Sequence, residues 1–238
     1  MKKRKIIFAL MMILFTTVGL AHAFVFPHQT RCLLVDFYSF EKEGELYFRS
    51  GINEETKTKL KNLIQQAKIR SGKFWGEGRS NPKFIYCANE EDYKKFGSPN
   101  MTPAVAHMKL GSFVVISKNG VDLDIIAHEI SHTELYARIG FYNREFKIPT
   151  WFDEGLAMQI DHRSYYSIDA LKVKSNGFKN LPNVKEMNSF AQFGRGTKEE
   201  VMLNYSTAKY EVAKWYTPKK LKTFIQKINE GNNFENSY

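Results

Sequence analysis

Between Asp122 and Gly140 the chain sets Leu123, Ile125, Ile126, Ala127, Ile130, Leu135 and Ile139 at spacings that fit one long helix. Asp122 reads as its N-cap and Gly140 as its stop. In the middle of this apolar helix sit His128, Glu129 and His132. Residues four apart share a helix face, so both imidazoles point the same way. Glu129 is turned about 100° from its neighbour by the helical period. Polar groups on such a helix need partners once buried. A single ion would satisfy both histidines, since zinc accepts imidazole nitrogens at about 2.0–2.1 Å. Glu129 would then act on a metal-bound water and not on the metal itself. The competing reading is a pair of hydrogen-bonded core histidines.

A catalytic zinc site has three protein ligands and an open position. The third is expected downstream, in Pro149-Thr150-Trp151-Phe152-Asp153-Glu154-Gly155-Leu156-Ala157. Thr150 is expected to cap a second helix, with Asp153 reaching back to it, and this arrangement aims Glu154. The 21 residues between His132 and Glu154 leave room for a turn and a returning helix. Glu154 has its own competing reading, a first-turn carboxylate stabilised by the helix dipole.

The two segments together, His-Glu-x-x-His and Trp-Phe-Asp-Glu-Gly-Leu-Ala, resemble the gluzincin metallopeptidases. That group includes the thermolysin-like enzymes and the aminopeptidases with a Trp-x-x-Glu-Gly-x-Ala segment. The likeness is clearest over 104–160 and looser over 200–230. It implies a zincin-like domain in which His128, His132 and Glu154 bind zinc and Glu129 is the general base of peptide-bond hydrolysis. Tyr205 stands where related sequences carry a tyrosine, which implies an oxyanion donor. Its competing reading is a core aromatic, and Tyr165, Tyr166 and His162 are alternatives for the role. Two features depart from the family. The Gly-x-Met-Glu-Asn segment that binds the substrate amine in those aminopeptidases is absent, so aminopeptidase specificity is not implied. Met158 stands where thermolysin-like enzymes place an aspartate that holds a ligand histidine, so that task falls to Asp124, Asp153 or Asp161.

The N-terminus reads as an export signal. Lys2, Lys3, Arg4 and Lys5 precede an uncharged, mostly apolar run from Ile6 to Leu20, and Ala21-His22-Ala23 fits a small-x-small cleavage site. Residues 1–23 are then a signal peptide and 24–238 the mature domain. The expected location is periplasmic or extracellular, with no stable membrane span after cleavage. The competing reading is an uncleaved anchor, although a run of 15 is short for a span, which needs about 20. The leader carries four of the ten net positive charges and no acid precedes Phe24, so residues 24–238 keep +6. That excess is too mild to indicate nucleic-acid binding. Two cysteines are too few for a disulfide scaffold or a four-cysteine zinc site. Cys32 and Cys87 lie in apolar, strand-like stretches and remain either a disulfide or two buried thiols.

The remaining pattern is strands first, helices later. Residues 31–40 and 45–50 read as a hairpin around Glu43-Gly44, and 54–70 as a helix capped by Asn53 with Gly72 beyond it. A strand is expected over 83–88 and a short helix from Asn89 to Gly97. A second hairpin, 104–109 with 112–117, turns at Leu110-Gly111. Later helices fall over 123–139, 151–161, 199–216 and 219–230. The expectation is one α+β unit, a small mixed sheet leading into a helical half. A peptide or protein substrate would add a strand along Ala104–Lys109. Two other classes fit parts of the pattern. One is a zinc-binding relative that has lost catalysis and binds a partner, though metal binding alone does not need Glu129. The other is a secreted binding module without metal.

Overall fold

The computed structural model describes residues 2–238 and is an α+β fold, as the pattern predicts. In chain order the elements are α1 (Lys2–Val25), α2 (Pro27–Leu33), β1 (Phe40–Glu43), β2 (Leu46–Arg49), α3 (Glu54–Trp75), β3 (Lys83–Cys87) and α4 (Glu90–Phe96). There follow β4 (Ala104–His107), β5 (Phe113–Ser117), α5 (Leu123–Lys147), α6 (Thr150–Ala157), α7 (Ile168–Lys174), α8 (Phe190–Phe193), α9 (Lys198–Trp215), α10 (Pro218–Asn229) and α11 (Phe234–Ser237).

The five strands form one sheet in the order β1-β2-β3-β5-β4. The inner pairs β2–β3 and β3–β5 are parallel and the outer pairs β1–β2 and β4–β5 antiparallel. Both hairpins turn where glycine supplies a left-handed residue, Gly44 at φ +63° and Gly111 at φ +74°. Alternate residues of the inner strands face opposite sides. Phe84, Tyr86, Val114 and Ile116 meet Leu60, Ile64, Ile126 and Ile130 of α3 and α5 on one face. Ile85, Cys87, Phe113 and Val115 meet Cys32, Val35, Tyr93 and Phe96 on the other. The helical half has its own core, in which Trp151, Phe152 and Leu156 pack against Val212, Trp215, Leu221 and Phe224.

One expected strand is a helix. The stretch over 31–39 holds the end of α2 and a 3-10 turn at Val35–Phe37. Gln29, Cys32 and Val35 are buried at a spacing of three, while Leu34 and Phe37 stay 43% and 86% exposed. That is helical periodicity, and Pro27 opens the helix at a position that needs no N–H. Cys32 and Cys87 are free thiols, buried in the same core. Helix α3 runs past Gly72 to Trp75, because Gly76 at φ +78° is the residue that reverses the chain. Gly140 stops the first part of α5 with φ +76°, as expected, and a short helical piece continues to Lys147. Helix α6 begins after Pro149, not at a Thr150 cap, and ends in a 3-10 turn over Met158–Ile160. Helices α9 and α10 match expectation within a residue, held by Thr197 with Glu200 in a capping box and by Thr217 before Pro218. Helix α1 is apolar from Arg4 to Val25, with mean hydropathy 2.2 and none of that stretch buried. A signal sequence and a membrane-crossing helix share those properties.

The sheet half carries one ion pair with a clear pH signature. Arg49 Nη2 lies 2.6 Å from Asp92 Oδ1 and Nε 3.0 Å from Oδ2, linking β2 to α4. The Arg49 hydrogen bonds hold the Asp92 carboxyl below its ordinary value, against the opposing effect of burial. A group whose folded-state pKa is depressed contributes stability that is present above its unfolded value and lost as pH falls through the folded one. Asp92→Asn should therefore cost about 1–2 kcal/mol at neutral pH, the range of a partly screened charge-assisted pair. The gap to wild type should begin to narrow below about pH 4, the ordinary aspartate value, and close only once pH falls past the depressed folded value. Denaturant titrations of both proteins at pH 7 and in steps from about pH 4 to about pH 2 check this, and a gap that stays constant down to the lowest pH would assign the pair no charge contribution.

Candidate metal centre

Helix α5 packs against α6 by way of the core that Leu135, Trp151 and Leu156 share. The buried side chains of His128, His132 and Glu154 converge at this junction. His128 Nε2 stands 3.2 Å from His132 Nε2, and Glu154 Oε2 lies 3.3 Å from the first and 3.6 Å from the second. Glu154 Oε2 is buried without a hydrogen-bond partner. Two imidazole nitrogens and one carboxylate oxygen facing a common point can hold a metal ion. Gly155 sets this approach. A Cβ there would stand 2.5 Å from Val212 Cγ2 and 2.8 Å from the Ala208 carbonyl oxygen, so only glycine lets α6 lie this close to α9.

Asp153 points away from the start of its own helix and into the site. Its Oδ1 lies 2.8 Å from His132 Nδ1, and its other oxygen accepts from Arg144 Nη2. Burial alone would raise the Asp153 pKa, but Arg144 and His132 pull it below the ordinary value. An ionised carboxylate only accepts, so His132 Nδ1 carries the hydrogen and Nε2 is turned toward Glu154. The expected bond from Asp153 back to Thr150 is therefore replaced, and the Thr150 hydroxyl donates to the Asn188 carbonyl instead. Of the other two aspartates, Asp161 is fully buried with Oδ2 3.9 Å from His128 Nδ1, beyond hydrogen-bonding distance. Asp124 is held elsewhere, by Arg70 and the His162 amide.

The charge balance suits a cation. Burial opposes a positive His132, yet Asp153 and Glu154 hold its pKa well above the ordinary histidine value. Glu154 is drawn down, since His132 and His128 outweigh the burial that would raise it. Bound metal would displace the proton these carboxylates otherwise retain on the imidazole.

Glu129 is half-buried and opens with His128 into a cleft of about 900 Å³. Its pKa is raised, by burial first, with Glu154 adding and both histidines opposing. Its carboxylate lies against the backbone amide of Ala106 on β4. Tyr205 reaches the same cleft from α9, its ring centroid 6.2 Å from that of His128 and 4.9 Å from that of Phe193. Burial, with the charges of Glu154 and Glu129, raises the Tyr205 pKa well above its ordinary value, so the phenol keeps its proton. Tyr165 and Tyr166 also line the cleft. His162 is exposed and outside its lining.

Strand β4 is an edge of the sheet, four residues long where six were expected. Ser117 N donates to the Pro103 carbonyl at 2.9 Å. By antiparallel alternation Val105 and His107 then face β5, and the backbone groups of Ala104 and Ala106 face the open edge. Beyond the strand, Gln29 occupies the Lys109 amide at 3.1 Å and the Leu110 carbonyl at 2.7 Å, which ends the free edge.

No protein-family model matches this chain, and no curated protein matches it. The arrangement of its own residues is therefore what bears on function. Arg163, in the cleft wall, carries no sequence motif and was not anticipated.

Proposed function

We propose that this chain is an exported zinc-dependent peptidase of the gluzincin type, with His128, His132 and Glu154 as ligands and Glu129 as general base. The observation that carries the reading is the spacing of the three ligand atoms, 3.2–3.6 Å. Zinc bonds of about 2.0–2.2 Å in a tetrahedron separate neighbouring ligand atoms by roughly 3.3–3.6 Å. His128, His132 and Glu154 would hold the ion, and His128 also lines the cleft. Zinc held there would supply Lewis-acid chemistry and make water a nucleophile near neutral pH.

The residues of the chain supply the rest. Glu129 takes a proton from the attacking water and delivers it to the leaving amine. Its raised proton affinity suits a base that must also give the proton back. The protonated Tyr205 donates a hydrogen bond to the carbonyl oxygen as negative charge builds on it. Asp153, backed by Arg144, fixes the orientation of His132. An extended peptide pairs with Ala104 and with the Ala106 carbonyl on the free edge of β4, which brings its backbone past Glu129 on the Ala106 amide. A catalytically silent metal-holding protein would have no use for a carboxylate poised beside the ligands, and Glu129 separates the two readings. The basic start, the apolar helix and Ala21-His22-Ala23 support export with removal after Ala23.

Purified protein supplied with zinc should hold about one equivalent and cleave casein or quenched fluorescent peptides in a chelator-sensitive manner. Its N-terminal residue should be Phe24. Less than a tenth of an equivalent of zinc would remove the metal reading, and an intact Met1 in the membrane fraction would favour an anchor.

A further inference from the structure

Arg163 is the strongest unassigned group in the molecule. It lines the cleft that holds His128 and Glu129, with its side chain 22% exposed. The fully buried Asp161 grips it from behind, accepting from Nε at 3.0 Å and also from Nη2. Its guanidinium carbon sits 5.4 Å and 5.1 Å from the ring centroids of Tyr165 and Tyr166. Asp161 also faces His128 Nδ1 at 3.9 Å, so the arginine is tied to the wall of the metal centre.

A guanidinium has five N–H groups in a rigid plane. Asp161 uses the edge formed by Nε and Nη2. The other edge, one N–H from each Nη, meets no carboxylate or carbonyl among the described residues, and the neutral Tyr165 hydroxyl is the group that stands beside it. That edge is a preformed two-point donor of the kind that matches a carboxylate. The surroundings favour an anion. Glu129 is the one carboxylate lining the cleft among the described residues, and Lys198 adds a second cation on the wall. Asp161 and the tyrosines hold the guanidinium in place before any ligand arrives, so little side-chain entropy remains to be lost on binding.

We infer that Arg163 receives a substrate carboxylate, so that the peptides cut here carry a negative charge close to the scissile bond. The inference rests on the peptidase reading and adds to it the substrate class. Two sources offer the same chemistry, an Asp or Glu side chain and the C-terminal carboxylate of a short peptide.

The test uses zinc-loaded protein, a proteome-derived peptide library and mass-spectrometric reading of the products, with Glu129→Gln as the blank. Wild-type cuts should be enriched for Asp, Glu or a free C-terminus at one fixed distance from the bond. Cleaved peptides are then resynthesised in pairs. In one set Asp or Glu becomes Asn or Gln, and in the other the C-terminus becomes an amide. Whichever set slows by about tenfold or more identifies the source of the carboxylate. In Arg163→Gln the ratio within that pair should fall to about one, and Arg163→Lys should keep part of it, because a point charge replaces the fork. Zinc content and thermal midpoint of each variant report its folding. If Arg163→Gln does not fold, Arg163→Lys and the wild-type pairs decide alone. Cleavage without any carboxylate dependence, or the same dependence in a folded Arg163→Gln, overturns the inference and leaves the peptidase standing. No cleavage of any peptide by zinc-loaded wild type overturns the peptidase reading, and the inference with it.

Discussion

Glu129→Gln is expected to keep one equivalent of zinc and the wild-type thermal midpoint, and to lower peptide hydrolysis at least about a hundredfold. The carboxylate is not among the three converging ligand atoms, so its loss should not touch metal affinity. It stands beside His128 in the cleft wall and against the Ala106 amide, between the ligand cluster and the free edge of β4. Glutamine fills the same volume and still accepts a hydrogen bond through its carbonyl, but it cannot hold a transferred proton. Burial raises the proton affinity of Glu129, which brings it nearer the range where a base works at neutral pH. Rates are compared on a verified substrate with both proteins fully loaded. Equal rates would assign water activation to another group and leave Glu129 a structural carboxylate.

What could be read from the sequence follows the range of the interactions involved. The α5 and α6 segments were legible because helical period and adjacent breakers act within a few residues, as with Asp122 and Gly140, although the start of α6 falls at Pro149 and not at the expected Thr150 cap. The role of Asp153 was not. A local rule assigned it to Thr150, but a cap bond to an exposed turn is easily replaced by water. The pairing with buried His132 and Arg144 is not, and two charges in a dry site outweigh it. Helix α2 was misread because seven residues hold too little periodicity to compete with an apolar run, and only the burial of Gln29, Cys32 and Val35 reveals its face. The segment from Asp161 to Thr197 is built of 3-10 turns and short helices held by side-chain bonds, such as Ser167 to the Ala170 amide and Ser189 with Gln192. Such pieces leave no long repeat in the sequence. Arg163 lies among them, and the one local signal for it is an aspartate two residues earlier.

The ligand set makes an ordered prediction. Glu154→Ala and His128→Ala should each weaken zinc binding by more than about a hundredfold, beyond the 10–100-fold typical of losing an outer partner. Asp153→Asn should fall within that lower range, because it leaves all three ligand atoms present and disturbs only the orientation and charge of His132. Glu154 should be the most costly of the three. As a ligand it would provide the one formal negative charge of the set. Its aim also depends on Gly155, which lets α6 close against Ala208 and Val212, so the alanine variant tests the ligand without moving the helix. Competition against a chromophoric chelator gives the affinities, with circular dichroism to confirm folding. Glu154→Ala with wild-type affinity, or Asp153→Asn weaker than Glu154→Ala, would exchange the roles of the two carboxylates. The metal would then be held by Asp153, and Glu154 would be the group that orients a histidine.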